Sequence, residues 1–396
     1  MNAARAWIQG LLVLTAITSL SRAPADRPAP CSCLIQPDKN AAIVRSPGRA
    51  VYCGLDLGSR SAKLSVVSME KDRMTTIRDE RQCKRTLGFG ALVFDSRTKT
   101  RRALPNESIG DLVDTIREYQ RICALDGGTV VAAGATQWSR DATNIADVTA
   151  RVKSDTGVNV EVLTPAQEAE FAYVAAAAGA SGRIVLDPGS NSFELAWQER
   201  GSTQIRTVLV EYGYVRGAVN DVEPARDYES GRAAYQSTAR TQIDEQLARL
   251  TPPASLAALG QLVSAGAIGP DVITLGLDGA VFLYPRGLLR APGGGWISDG
   301  HAYDAVLAGQ PRSTDPSYGL MAAAPLSRAE LTAYFSSIGS ADFKTLASEP
   351  VRTLYGQKAL VVPALVDLLL RELGARQLVM VPQENASGHM LAKLLR

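Results

Sequence analysis

The residues whose types could do chemistry stand in two matching turns. Leu55 to Leu64 reads LDLGSRSAKL and Leu186 to Leu195 reads LDPGSNSFEL, identical at six of ten positions. Each copy sets an aspartate, Asp56 or Asp187, at the end of an apolar, β-prone run and follows it with a Gly-Ser-x-Ser turn. Such a turn can present successive backbone N–H groups and two hydroxyls to one point, a nest for phosphate oxygens. The aspartate entering it is placed to hold a magnesium ion, or its waters, beside those phosphates. A single D-x-G-S is a weak signal, because an ordinary hairpin carries the same residues. Two copies facing each other would grip neighbouring phosphates of one substrate.

The elements that must position these turns also come in two sets. Asp56 and Asp187 lie 131 residues apart, too far for a solenoid unit and about the length of a domain. After the first turn the pattern predicts a strand over Lys63 to Val67 and a third strand reaching about residue 94, broken by glycine in Phe89 to Phe94. Apolar residues at Ile109, Leu112, Val113, Ile116 and Tyr119 predict a helix over Ile109 to Ala124. A buried strand over Thr129 to Ala133 follows, then a helix over Ile145 to Ser154 with Asn144 as its cap. Val158 to Leu163 alternates like a strand, and Thr164-Pro165 followed by Glu168 starts an alanine-rich helix over 166 to 178. The second half repeats the order, with strands over Ile184 to Asp187, Phe193 to Gln198 and Thr203 to Val210 and a helix over Arg232 to Leu250. Leu262 to Ala265 is predicted as a buried strand matching Thr129 to Ala133. Residues 276 to 320 read as an irregular insertion. A helix over Leu360 to Leu373, a strand over Gln377 to Val381 and a helix over Ser387 to Leu395 close the chain. A meander, helix, strand and helix occurring twice predicts two α/β domains with a ligand cleft between them.

With 396 residues, 46% of them hydrophobic, each half can bury a core of its own. The formal charge of +2 supplies no overall field for nucleic acid or membrane surfaces. The one dense basic run, Arg97 to Arg102, reads as a solvated loop, with guidance of anions as the alternative. At the N-terminus, Arg5, the apolar run Trp7 to Leu20 and Ala23-Pro24-Ala25 have the pattern of an export signal. The expected organisation is a signal peptide over 1–25, a flexible leader over 26–48, domain I over 49–166 and domain II over 167–396, with the terminal helix able to pack back on domain I. An exported, periplasmic or secreted protein is expected, without a stable membrane span after cleavage; a retained N-terminal anchor is the alternative. Five cysteines suit export if some of them pair, and an odd count leaves one over. Cys53, within a predicted strand, reads as a small buried hydrophobe.

The motifs, taken in order, resemble those of the exopolyphosphatase and guanosine pentaphosphate phosphohydrolase (Ppx/GppA) family in its short form, within the actin-like ATPase superfamily. LDLGSRSAKL resembles the first phosphate loop and LDPGSNSFEL the second. Thr136 to Asn144 resembles a T-x-x-x-R-x-A-x-N segment, Val160 to Phe171 the stretch that ends in the catalytic glutamate, and Gly213 to Gly217 the segment beyond the second loop. The sequence differs from the family at Pro188, Ser190 and Asn191 of the second loop, at Arg60 of the first, and at Ala386-Ser387-Gly388, where Arg-Glu-Gly is common. The resemblance implies a duplicated ribonuclease H-like (actin-like ATPase) α/β fold with an interdomain cleft. It implies Glu168 as the base that activates water and Arg140 as a phosphate-binding group. It implies phosphate binding by Gly58, Ser59, Arg60 and Ser61 and by Gly189, Ser190, Asn191 and Ser192. Asp187 and Glu194 would position Mg2+, with Asp56 as a further partner. The expected substrate is inorganic polyphosphate or another phosphoanhydride, with a homodimer as one arrangement of the chain. Guanosine pentaphosphate hydrolysis, or a member that binds without turnover, is the alternative.

Overall fold

The computed structural model describes residues 31–33, 42, 48–70, 73–95, 98, 100–177, 180–275, 285, 325–340, 343, 346, 354–381 and 385–394. The signal segment, Arg97, Lys99 and most of the 276–320 insertion lie outside the described residues.

The first lobe is a six-stranded sheet in the order β1-β4-β3-β2-β7-β8, formed by β1 (Ser32–Cys33), β2 (Arg49–Leu57), β3 (Ser61–Glu70), β4 (Arg73–Thr86), β7 (Thr129–Ala135) and β8 (Glu161–Val162). A small hairpin of β5 (Phe94–Asp95) and β6 (Thr100–Arg101) lies apart from it. The second sheet runs β11-β10-β9-β12-β14-β13, with β9 (Arg183–Pro188), β10 (Phe193–Gln198), β11 (Arg206–Val210), β12 (Asp271–Leu275), β13 (Leu326–Ser327) and β14 (Gln377–Val381). In each lobe an antiparallel meander continues into parallel strands on the far side of its first strand: β2 pairs with β7, and β9 with β12. The order β4-β3-β2-β7 thus recurs as β11-β10-β9-β12, the spatial form of the sequence repeat.

Helices cover the sheets. In the first lobe α1 (Phe89–Val93), α2 (Asn106–Leu125), α3 (Gln137–Asp141) and α4 (Ile145–Thr156) share a core with β2 and β3. The helix α5 (Pro165–Ala177) lays Ala169, Ala172, Ala175 and Ala176 against Val185, Ala196 and Ile273 of the second sheet, small side chains that allow close approach. The second lobe adds α6 (Tyr214–Gly217), α7 (Tyr228–Ala248), α8 (Leu256–Ser264), α9 (Arg328–Ser337) and α10 (Leu354–Glu372), whose apolar run from Ala359 to Leu370 fills its largest core. The last helix, α11 (Asn385–Leu394), packs on α5 and on β2 and β7 of the first lobe.

Several sequence expectations are corrected. The third strand ends at Thr86, and Phe89–Val93 is a short helix that buries Phe89 and Val93. Leu262 to Ala265 closes α8 rather than forming a strand: Ser255 caps that helix on Ala258 N, and Leu256, Leu259 and Val263 lie at helical spacing. A run of four residues, three of them apolar, fits either period, and the capping serine decides between them. Asn144 precedes α4 but does not cap it; its side chain exchanges hydrogen bonds with the backbone of Leu104, at 2.8 and 3.0 Å. The leader is not uniformly loose, since Ser32–Cys33 pairs with β4 and Cys33 is bonded to Cys83. Cys53, expected as a buried hydrophobe, is joined to Cys123 and so ties β2 to α2. Cys31 is buried outside any disulfide.

Candidate active site

The two turns sit at the ends of the central hairpins, and each is held from behind by its carbonyls. In the second, the carbonyls of Gly189, Ser190 and Asn191 accept from the N–H groups of Tyr214, Val215 and Gly213 at 3.2, 3.0 and 3.0 Å. A trans peptide points its N–H opposite to its C=O, so the N–H groups of Ser190, Asn191 and Ser192 face the other way. The contact requires glycine at 213, where a Cβ would lie 2.5 Å from Ser192 N and 2.6 Å from Gly189 O. The first turn is braced in the same manner. Ser59 O accepts from Gly90 N at 2.7 Å, and Arg60 O accepts from Leu87 and Gly88 N at 2.8 Å, which turns the N–H groups of Arg60 and Ser61 away. Ser59 Oγ accepts from Trp138 N at 3.2 Å, and Gly58 N closes the turn on Ser61 O at 3.0 Å. Each turn thus presents a set of backbone donors, the requirement for an anion nest.

The acids are set by strand register. Asp187 and Glu194 are directly opposed across β9 and β10, so both side chains leave the same face of the sheet. Glu194 is buried and accepts from Ser192 Oγ at 2.8 Å. Burial, together with the negative charges of Asp187 and Glu168, pushes its carboxyl well above the usual range. The equivalent position in the first lobe holds Lys63, opposed to Asp56 with Nζ 3.7 Å from Oδ2. The duplication has therefore diverged in charge, acid against acid in one lobe and acid against base in the other.

Glu168 comes from the first turn of α5. Thr164 and Gln167, rather than Thr164 and Glu168, close the start of that helix: Gln167 N donates to Thr164 Oγ1 at 3.2 Å and Thr164 N donates to Gln167 Oε1 at 2.9 Å. Glu168 is left to turn inward, where it is buried. Burial raises its pKa to about 7, against the lowering effect of Arg140 and with help from the charges of Asp56 and Asp187. One acid from each lobe therefore acts on Glu168. Arg140 Nη1 donates to Glu168 Oε1 and, at 2.5 Å, to Leu163 O, while Nη2 donates to Gln137 Oε1 at 2.8 Å. The expected base and the expected phosphate-binding arginine form one unit. Asp141, adjacent to Arg140 in sequence, pairs instead with Arg101 at 3.3 Å. Arg102 of the basic run pairs with Asp95 at 2.8 Å.

The expected acids do not assemble into one cage. Among the described residues no group of three or more His, Cys, Asp or Glu side chains stands ready to hold a metal ion. Asp56 enters from the other lobe, with Lys63 Nζ 3.7 Å from its Oδ2, and its charge, like that of Asp187, acts on Glu168. The pair Asp187 and Glu194 does fit magnesium, which binds through one or two carboxylates and keeps waters and substrate phosphates for the rest of its shell. A buried carboxylate opposed to a second one carries a repulsion that a divalent cation would relieve.

The sequence reading missed Lys63, Gln137 and Asn385. Asn385, the first residue of α11, donates from Nδ2 to Asp187 Oδ2 at 2.5 Å. Its position just after a strand and ahead of a helix was the only available signal.

Two α/β lobes of matching topology, each lending a turn of backbone donors to a set of acids between them, define an actin-like ATPase fold. Residues 66–257 match the model of the Ppx/GppA phosphatase family. Exopolyphosphatase 1 of Mycobacterium leprae is 33% identical over 146 residues, 36% of this chain and 41% of that protein. Exopolyphosphatase 1 of Mycobacterium bovis is 31% identical over 146 residues, 36% of this chain and 40% of that protein. The match thus spans about two-fifths of the length of these curated relatives. Among solved structures, the Aquifex aeolicus member of the Ppx/GppA family superposes with a TM-score of 0.58 at 18% identity, covering 88% of this chain and 98% of that one. An exopolyphosphatase from Cytophaga hutchinsonii gives 0.55 at 15%, covering 87% and 97%. At those identities the likeness carries the fold.

Proposed function

We propose that the chain is a magnesium-dependent exopolyphosphatase, releasing terminal orthophosphate from inorganic polyphosphate. The observation that carries this reading is Glu168, a buried carboxylate with a pKa near neutrality, set among acids of both lobes whose turns present backbone donors. The N–H groups after Ser59 and after Gly189 bind neighbouring phosphates and orient the terminal one. Ionised Glu168 takes a proton from water as its oxygen bonds to the terminal phosphorus. The bridging P–O bond breaks, and its electron pair stays on the shortened chain. Asp187 and Glu194 would hold the magnesium ion, which supplies charge neutralisation for the phosphate oxygens. The test is phosphate release from polyphosphate by the purified chain with magnesium. Glu168→Gln is expected to lower kcat at least a hundredfold. Release that the substitution leaves unchanged removes Glu168 from the mechanism.

A second reading, a member that binds polyphosphate without turnover, is favoured by the Arg140 contact, which occupies the carboxylate that must accept the proton. Saturable polyphosphate binding with no phosphate release would establish it. The disulfides Cys33–Cys83 and Cys53–Cys123 support an oxidising compartment, and with it the export expected from the N-terminal pattern. Polyphosphate fits that location better than a cytoplasmic nucleotide messenger. Among the described residues no helix is long and apolar enough to cross a membrane.

A further inference from the structure

Helix α11 contributes to neither phosphate turn, yet its first residue reaches the acid pair. Asn385 Nδ2 donates to Asp187 Oδ2 at 2.5 Å, and because a carboxylate only accepts, this contact fixes which way the amide points. The amide oxygen, Oδ1, is buried and has no hydrogen-bond partner among the described residues. A buried amide with its donor used and its acceptor orphaned is costly unless something else donates to it. The waters carried by a magnesium ion are such donors.

The amide is also held firmly. Gly388, one turn along α11, lies so close to α5 that a Cβ there would stand 1.8 Å from Phe171 O. The His389 ring stacks on Phe171 with centroids 4.6 Å apart, and its Nε2 lies 3.1 Å from Glu161 Oε2. Lys393 meets the other oxygen of Glu161. Glu161 belongs to β8, at the edge of the first lobe's sheet. The helix that delivers an amide to Asp187 of the second lobe is therefore anchored on the first.

We propose that Asn385 is a positioning residue: its amide fixes the Asp187 carboxylate beside Glu194 for a divalent cation and offers Oδ1 to one of the cation's waters. The proposal rests on the reading of Asp187 and Glu194 as the magnesium acids. Partners of metal-binding side chains typically change metal affinity ten- to a hundredfold when removed.

The test uses the full chain and MgCl2 alone, by calorimetric titration and by the melting temperature with and without magnesium. Asn385→Leu, of similar volume and without the amide, is expected to weaken magnesium binding about tenfold or more. It should leave the magnesium-free melting temperature unchanged and reduce the rise that magnesium produces. Should leucine prevent folding, Asn385→Ser, polar but too short to reach Asp187, is expected to weaken binding in the same way. A folded variant with wild-type magnesium affinity overturns the proposal, as does a wild-type chain that binds no magnesium. A wild-type chain that binds magnesium, loses it on substitution and releases no phosphate upholds the positioning role and overturns only the hydrolase reading.

Discussion

Replacing Arg140 by leucine is expected to move the acid limb of the pH–rate profile upward. Glu168 must be ionised to accept a proton, so activity falls as pH drops through its pKa, which lies at about 7. Burial raises that pKa and Arg140, in direct contact, is the largest opposing influence. An adjacent guanidinium lowers a carboxyl pKa by about 1–3 units. Without it the limb should move from about pH 7 to between about pH 8 and pH 10, and the ionised fraction at pH 7 should fall from about a half to less than a tenth. The assay is kcat/KM for phosphate release from pH 5 to 10, which reports the free enzyme. The position of the limb is read separately from its height, because Arg140 can also affect substrate binding. Arg140→Lys, which keeps the charge, should hold the limb within about one unit of its original place. A limb that stays near pH 7 in the leucine variant, or that moves down, would refute the electrostatic account of Glu168.

Two further outcomes follow from packing and covalent ties. Gly213→Ala sets a Cβ 2.5 Å from Ser192 N, so the second phosphate turn must shift; a loss of about 1–3 kcal/mol in urea unfolding is expected, with a raised KM for polyphosphate. The paired change Cys53→Ser and Cys123→Ser opens a bridge of sequence separation 70 between β2 and α2. It should cost about 2–5 kcal/mol of stability, measured by denaturation, and reducing agent should then have a smaller further effect on the variant than on the wild type.

The hairpins were legible because their signals are local. LDLGSRSAKL and LDPGSNSFEL predict a strand, turn and strand in each lobe, and β2/β3 and β9/β10 are those hairpins. The start of α5 was legible at Thr164-Pro165, but the partner of Thr164 is Gln167. That one-residue difference frees Glu168. Leu262 to Ala265 was misread because so short a run, with three of its four residues apolar, fits a strand and a helix end equally. The pairing of Cys53 with Cys123 could not be read, because sequence spacing does not report which thiols meet. Nor could the contact of Asn385 with Asp187, which joins residues 198 positions apart.

The sequence by itself determined the duplication, the two Gly-Ser turns and the acids beside them. These follow from periodicity and turn chemistry, which act over a few neighbouring residues. Tertiary structure alone decided what those acids are. Register set Glu194 against Asp187 and Lys63 against Asp56, and packing buried Glu168 against Arg140. The charge state of a carboxylate depends on burial and on charges brought near it by the fold, and those distances are not written in the order of the residues.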